Sequence, residues 1–110
     1  MDFDDYQESA SKTTIFPDEM PDSVNTGTVY CALGLVGESG EVAEKVKKAV
    51  REDDPSYLDD LEKELGDVLW YLSQLAVQLG ISFDDIAEGN ITKLQDRQDR
   101  DVLTGEGDDR

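Results

Sequence analysis

The sequence predicts an all-α fold, a four-helix-bundle-like domain that is oligomeric. Apolar residues recur at spacings of three and four, which is the period of an amphipathic helix. Prolines and residues typical of helix caps separate the helical stretches. The 110 residues fit one domain spanning 1–110, and a chain of this size buries a modest core, which favours association of copies.

The first half of the chain predicts two helices joined by a loop. Residues 2–14 carry Phe3, Tyr6 and Ala10 at helical spacing, which predicts a short first helix. The polar stretch Pro17–Asn25 contains two prolines and cannot form regular helix. A second helix is expected over Thr26–Arg51, where an apolar stripe consists of Leu33, Val36, Val42, Val46, Ala49 and Val50.

A third helix is predicted over Ser56–Leu79, with leucines and a valine repeating along one face. Ser56 is a candidate N-cap because Asp59 follows it at capping-box spacing. Gly80 is a candidate C-terminal cap for this helix.

A fourth helix is predicted over Ser82–Arg97, with Ser82 and Asp85 at capping-box spacing. Its inward positions are expected to be Phe83, Ile86, Ile91 and Leu94. The tail from about residue 101 is rich in glycine and charge, and is expected to be irregular and mobile.

The composition excludes several classes of protein. The net charge of −17 disfavours binding to a nucleic-acid backbone or an anionic membrane surface. It leaves three explanations: an acidic surface suited to a salty cytoplasm, a metal-binding protein, or a mimic of nucleic-acid charge. No apolar run is long enough for a transmembrane helix, and the acidic N-terminus does not resemble a signal peptide. One cysteine, Cys31, excludes an internal disulfide, so a cytoplasmic location is expected.

Two pairs of carboxylates carry the functional prediction. Glu38 and Glu41 lie three residues apart on the second helix, and Glu64 and Asp67 have the same spacing on the third. This spacing puts both members of a pair on one helix face. If the two helices lie side by side, four carboxylates converge, and protons, basic side chains or divalent cations must offset their repulsion.

The absence of histidine narrows the chemistry. Without it the chain cannot form a Ser-His or Cys-His catalytic pair, an ordinary zinc site or a di-iron bundle with Glu-x-x-His ligands. Carboxylate oxygens are hard ligands that suit Mg²⁺ or Mn²⁺. The four acids are therefore either a metal site or a solvated acidic face.

Other residues near these pairs have two interpretations each. Gly34, Gly37 and Gly40 indicate either a close helix crossing or open backbone that leaves room for a ligand. Glu44 is either a further ligand or an ion-pair partner of Lys48. Lys45, Lys47 and Lys48 are expected to form surface ion pairs, and Cys31 is expected to be buried. Trp70 and Tyr71 are either core or interface residues, which is the favoured interpretation, or residues that stack on a base.

Four stretches together resemble the MazG-like nucleotide pyrophosphohydrolases of the all-α NTP pyrophosphatase superfamily. They are Gly34–Lys45 (GLVGESGEVAEK), Glu64–Leu72 (ELGDVLWYL), Asn90–Leu94 (NITKL) and Gly105–Arg110 (GEGDDR). The resemblance covers nearly the whole chain. It implies a helical domain that forms dimers or tetramers. The implied reaction is Mg²⁺-dependent hydrolysis of a nucleoside or deoxynucleoside triphosphate to the monophosphate and pyrophosphate, with Mn²⁺ as a substitute for Mg²⁺.

The family motif reads Glu-Glu-x-x-Glu followed by Glu-x-x-Asp. Carried over, it implies metal ligands at Glu38, Glu41, Glu64 and Asp67, while Gly37 takes the place of its first glutamate. That departure bears on the number of metals and on the identity of the base.

The resemblance also implies a mechanism, in which a metal-activated water attacks the α-phosphorus. Its catalytic residues would be Glu38 and Glu41, with Glu38 favoured as the base that takes the proton. Lys93, Asn90 and Arg97 would contact phosphate. The base pocket would come from the first helix, the Pro17–Asn25 loop and a neighbouring subunit.

The sequence leaves two other functions open. A non-catalytic acidic helical protein that mimics nucleic acid would spread its acids over the surface, and no single carboxylate would matter. A metal-dependent phosphohydrolase that cleaves elsewhere would release phosphate instead of pyrophosphate.

Overall fold

The computed structural model describes residues 1–15 and 25–110, which form helices joined by turns and irregular segments and contain no strand. The α-helices are α1 Phe3–Ser11, α2 Thr26–Glu52, α3 Leu61–Gln78 and α4 Phe83–Asp99, with a short 3-10 helix at Pro55–Leu58 between α2 and α3. The predicted all-α class is therefore confirmed. Within the described ranges none of the helices combines the length and apolar character that a membrane span requires.

Three of the helix ends follow from local sequence. The Asn25 side chain accepts a hydrogen bond from the Thr28 amide at 3.0 Å and begins α2. Ser82 accepts one from the Asp85 amide at 3.2 Å and begins α4, as predicted. Gly80 has a φ of +69° directly after α3, the left-handed conformation that glycine adopts at little cost.

The predicted cap at Ser56 is wrong. Asp54 is the capping residue there, since its carboxylate accepts a hydrogen bond from the Ser56 amide at 3.0 Å. Pro55 occupies the first turn of the 3-10 helix, and α3 begins only at Leu61. An Asp-Pro-Ser sequence offers two capping side chains, and the one before the proline is used.

Helices α2 and α3 form the central antiparallel pair. Gly27 faces Gln78, Gly34 faces Tyr71 and Lys45 faces Glu64, so the partner number falls as the α2 number rises. A Cβ at Gly34 would lie 2.1 Å from Cε1 of Tyr71, whereas nothing lies within 4 Å of the corresponding position at Gly37 or Gly40. The close crossing therefore occurs at Gly34, and the other two glycines leave open space.

Helix α1 packs on α3, and α4 packs on α1. The Gln7 side chain links all three helices: its Nε2 donates to the carbonyls of Ser73 (3.2 Å) and Ile81 (3.1 Å), and its Oε1 accepts from the Phe83 amide (3.3 Å). The rings of Phe3 and Phe83 lie 4.8 Å apart at the α1–α4 contact. Helix α1 therefore lies between α3 and α4, and α4 is attached to the α2–α3 pair mainly through α1.

The buried apolar side chains of the described residues are Ala10, Cys31, Ala76 and Phe83. Cys31 is fully buried, as predicted. The inward placement predicted for α4 holds for Phe83, but it is wrong in the single chain for Ile91 and Leu94, which are 53% and 39% exposed. Helix α4 contacts mainly α1, so α2 and α3 give these two side chains little cover.

The apolar stripe of α2 also faces outward along much of its length. Leu33, Val36 and Val50 are 69%, 73% and 77% exposed. The α3 helix meets α2 on its other side, through Gly34 and the acid-bearing positions. One chain by itself therefore leaves an apolar helix face in water.

Candidate active site

The antiparallel pairing of α2 and α3 brings three predicted acids together. Glu38 of α2 and Glu64 and Asp67 of α3 each place a carboxylate oxygen within 4.8 Å of the others. Glu64 and Asp67 share a face of α3 because they lie three residues apart. Glu38 and Glu64 are half-buried, and Asp67 is exposed. We call these three residues the acid cluster.

The fourth predicted acid, Glu41, lies outside this cluster on the exposed side of the next turn of α2. It remains close enough for its charge to act on Glu38. Glu44 pairs with Lys47 at 2.8 Å and with Lys48 at 3.8 Å. Of the two interpretations of Glu44, the structure supports the ion-pair partner.

The electrostatics of the cluster show the cost of bringing acids together. Burial raises the pKa of the Glu38 carboxyl above its ordinary value. The charges of Asp67, Glu64 and Glu41 raise this pKa further. Lys45 Nζ lies 2.7 Å from Glu64 Oε1 and supplies a positive charge at the edge of the cluster.

The donor set fits a hard divalent cation. All three cluster residues offer carboxylate oxygens, which suit Mg²⁺ or Mn²⁺, and these ions keep further positions for water and phosphate oxygens. The ammonium group of Lys45 already acts as a stand-in cation against Glu64. No softer ligand competes, because the chain has no histidine and Cys31 is fully buried.

A cavity of about 310 Å³ adjoins the acid cluster. Its lining consists of two cluster carboxylates, three aromatic side chains and the end of the α1 segment: Glu38, Asp67, Tyr30, Trp70, Tyr71, Thr13 and Ile15. The acidic and aromatic surfaces thus share one opening. A flat ring and a cation could bind next to each other in it.

The aromatic side chains of this cavity are fixed by their neighbours. The Trp70 and Tyr71 rings meet edge to face with centroids 5.0 Å apart, and the Tyr30 ring lies 6.2 Å from Tyr71. Trp70 Nε1 donates to the Thr13 hydroxyl at 2.8 Å. Tyr71 packs over the bare backbone of Gly34.

The favoured interpretation of Trp70 and Tyr71, as core or interface residues, did not place them in a cavity beside the acids. The signal was present in the spacing, since they follow Asp67 by three and four residues and therefore share its face of α3. Thr13 and Ile15 carried no such signal, because their position depends on how α1 packs. The Pro17–Asn25 loop, predicted to complete the base pocket, lies outside the described residues except for Asn25.

The predicted phosphate contacts of α4 bind the chain's own tail. Lys93 Nζ donates to Asp108 Oδ1 at 2.8 Å, and Arg97 Nη2 donates to the same oxygen at 3.0 Å and to the Asp108 carbonyl. Arg97 is buried, Lys93 is half-buried and Asn90 is exposed. The phosphate role of these residues stays a prediction.

The tail itself has no regular helix, as the sequence predicts, and it folds back on α4. Arg110 donates to the carbonyls of Val102 at 3.2 Å and Leu103 at 3.0 Å. Gly105 and Gly107 have φ values of +126° and +83°, which let the chain turn. The mobility expected of this tail stays a prediction.

Comparison with known proteins agrees with this geometry. Residues 29–102, which contain the acid cluster and the aromatic residues of α3, match the family described as the MazG nucleotide pyrophosphohydrolase domain. The chain is also 46% identical over 114 residues to the Gene 37 protein of Mycobacterium phage L5, and the match covers all of both proteins. No solved structure matches the chain. The chain therefore belongs to the MazG nucleotide pyrophosphohydrolase family.

Proposed function

We propose that this protein hydrolyses a nucleoside or deoxynucleoside triphosphate to the monophosphate and pyrophosphate, and that it requires Mg²⁺, for which Mn²⁺ substitutes. The single observation that carries the proposal is the shared cavity, in which Glu38 and Asp67 lie beside three aromatic side chains. Such a site has room for a planar base and a cation-bound triphosphate together. A nucleoside triphosphate substrate also fits a cytoplasmic protein.

Glu38, Glu64 and Asp67 would hold the cation, with Glu41 as a further ligand from the next turn. When bound, the divalent ion offsets the charge of the triphosphate oxygens and lowers the pKa of a water. An acidic protein can accept an anionic substrate in this way, because the cation lies between the two negative groups.

Glu38 is the proposed base. Its carboxylate belongs to the acid cluster and lines the cavity, and burial and the neighbouring acids raise its pKa above that of an ordinary carboxyl. It would take the proton from the water that attacks the α-phosphorus, while pyrophosphate leaves. Glu41 is the alternative base; it is exposed and lies outside the acid cluster.

The aromatic part of the cavity would bind the base. Stacking on aromatic rings tolerates every base, because each base has a π-face. The Thr13 hydroxyl accepts from Trp70 and donates to the Ala10 carbonyl at 2.8 Å, so its one proton is already used. We therefore expect these residues to select a planar ring and leave the choice among bases to other groups.

The phosphate tail of the substrate would contact Lys93, Asn90 and Arg97. Two of these now bind Asp108, so a phosphate group would have to replace that carboxylate or bind beside it.

We also propose that a second copy of the chain covers the exposed face of α2, giving a dimer or tetramer. The support is the exposure of Leu33, Val36 and Val50.

The test is a product analysis with purified protein, Mg²⁺ or Mn²⁺, and a panel of nucleoside and deoxynucleoside triphosphates. We expect monophosphate and pyrophosphate in equal amounts. Glu64→Gln and Asp67→Asn should lower kcat/KM by more than about 100-fold, because a lost metal ligand costs more than the 10–100-fold typical of an outer-shell partner. Glu62→Gln, an exposed position on α3, is the matched control and should keep the activity.

Two results would contradict the proposal. Diphosphate with inorganic phosphate would show that a different bond is cleaved, as in the phosphohydrolase alternative. No turnover, together with thermal stability indifferent to metal, would favour the non-catalytic acidic mimic.

A further inference from the structure

Lys45 of α2 forms an ion pair with a residue of the acid cluster, whereas the neighbouring lysines of α2 do not. Lys45 Nζ lies 2.7 Å from Glu64 Oε1 across the α2–α3 contact. The side chains of this pair are only 26% and 19% exposed. Lys47 and Lys48, two and three residues along, pair instead with Glu44 on their own helix.

Lys45 opposes a divalent cation in two ways. Its ammonium group binds a carboxylate oxygen of Glu64, which is a member of the acid cluster, and its positive charge repels a second cation at the same site. The same charge offsets one carboxylate of the cluster when no metal is bound. The screening by water is incomplete here because both partners are half-buried.

We propose that Lys45 is a positioning residue that serves as the resident counter-cation of the acid cluster. It keeps Glu64 directed into the cluster in the metal-free protein and sets a lower affinity for the divalent ion. This role rests on the proposed function, since it requires that the cluster binds a metal. It assigns Lys45 no contact with substrate and no part in proton transfer.

The test is a titration of the full chain with Mn²⁺, followed by calorimetry or by the loss of the free-ion paramagnetic resonance signal. Lys45→Gln removes the charge and should bind Mn²⁺ at least about tenfold more tightly, because a unit charge a few ångströms from a divalent ion repels it by at least this factor even in bulk water. Lys45→Arg keeps the charge and should bind like the natural protein. Lys48→Gln removes the same charge from a half-exposed position paired with Glu44, and should also bind like the natural protein.

Thermal unfolding gives a second readout. In EDTA, Lys45→Gln should melt below the natural protein because three close carboxylates lose their counter-cation. Saturating Mn²⁺ should then raise its Tm by more than it raises the Tm of the natural protein. If Lys45→Gln is unfolded in EDTA, recovery of its helical circular dichroism on addition of Mn²⁺ is the supporting result, and no recovery overturns the proposal.

The outcomes separate this role from the proposed function. Equal Mn²⁺ affinity in Lys45→Gln and the natural protein, or weaker affinity in Lys45→Gln, overturns the counter-cation role and leaves the metal site intact. A tenfold gain shared by Lys48→Gln overturns it as well, because net charge alone would then explain the effect. If the natural protein binds no Mn²⁺, the metal site and the counter-cation role both fail.

Discussion

Gly34 and Gly37 lie one turn apart on α2 and meet different surroundings. A Cβ at Gly34 would lie 2.1 Å from the Tyr71 ring, so Gly34→Ala should destabilise the fold by about 1–3 kcal/mol, as overpacking does. Nothing lies within 4 Å of a Cβ at Gly37, so Gly37→Ala should stabilise the helix by about 0.5–1 kcal/mol. Urea denaturation at one fixed protein concentration measures both. Equal effects of the two substitutions would contradict the close packing of Tyr71 on Gly34.

Glu38 makes the stability of the metal-free protein depend on pH. Burial and the neighbouring acids raise its pKa in the folded state above the ordinary value of 4.5. The stability that Glu38 contributes to the folded state is therefore fully present below about pH 4.5. It is lost as the pH rises through the folded-state pKa, because the carboxyl must then ionise among the other acids. In EDTA, Glu38→Gln should have a higher Tm than the natural protein at pH 7, with the difference shrinking towards pH 4.5. A lower Tm for Glu38→Gln at pH 7 would show that the carboxylate is stabilised in the fold.

At this scale the spacing of acids was the most informative feature of the sequence. The period of an α-helix was enough to indicate that Glu64 and Asp67 share a face, and the structure adds Glu38 to them. The separation of Glu41 from the cluster could not be predicted, because it depends on the rotation of α2 against α3. The pair of Lys45 with Glu64 joins positions on two different helices and was missed for the same reason.

At the scale of elements, α1 and α4 cap each other. The Asp4 carboxylate accepts hydrogen bonds from the Ser82 hydroxyl at 2.8 Å and from the Asp84 amide at 3.1 Å, both at the start of α4. The Asp84 carboxylate in turn accepts from the Phe3 amide at 3.1 Å, at the start of α1. Each helix thus receives a negative charge at its N-terminus from the other.

This reciprocal cap gives a second pH-dependent prediction. The Asp84 amide and the Ser82 hydroxyl lower the pKa of Asp4 below its ordinary value of 3.8. The stability that Asp4 contributes is present above pH 3.8 and is lost as the pH falls through its folded-state pKa. Asp4→Asn should therefore lower the Tm at pH 7, and the deficit should close at acid pH. Asp59→Asn, at an exposed position before α3, is the matched control; an equal Tm loss there would contradict the capping role.

The position of a helix could be predicted where apolar residues kept the helical spacing over a long stretch. The end of a helix could be predicted where a single candidate capping residue was present. The start of α4, directly after Ser82, illustrates this. The start of α3 was misplaced because Asp54 and Ser56 compete around Pro55. The direction in which α4 turns its apolar side chains could not be read from its period, since that depends on which helices it packs against.

At the scale of the whole molecule, the chain is more extended than a compact domain. Its Cα radius of gyration is 17.1 Å, against about 13 Å for a compact domain of roughly 100 residues. Exposed apolar side chains along α2 accompany this extended shape. A second copy that covers α2 would bury these side chains. The sequence predicts an oligomer, but it does not show which face pairs, because an amphipathic stripe looks the same whether its partner is within the chain or in another chain.

Assembly should therefore depend on the outer face of α2. Leu33 is 69% exposed, and burial of a leucine is worth about 1.5–3 kcal/mol, so Leu33→Asp should raise the dissociation constant of the oligomer by at least about tenfold. Sedimentation velocity over a concentration series measures this shift. Leu103→Asp, on the tail, should leave it unchanged. A natural protein that sediments as a monomer at every concentration would contradict the assembly.

The position of bond cleavage gives the most direct test of the proposed reaction. The natural protein would hydrolyse a preferred nucleoside triphosphate with Mg²⁺ in ¹⁸O-enriched water, and mass spectrometry would locate the label. Attack on the α-phosphorus predicts one ¹⁸O in the nucleoside monophosphate and none in the pyrophosphate, with label incorporation lost in Asp67→Asn. Label in the pyrophosphate, or incorporation that persists in Asp67→Asn, would contradict the assignment of the acid cluster to this chemistry.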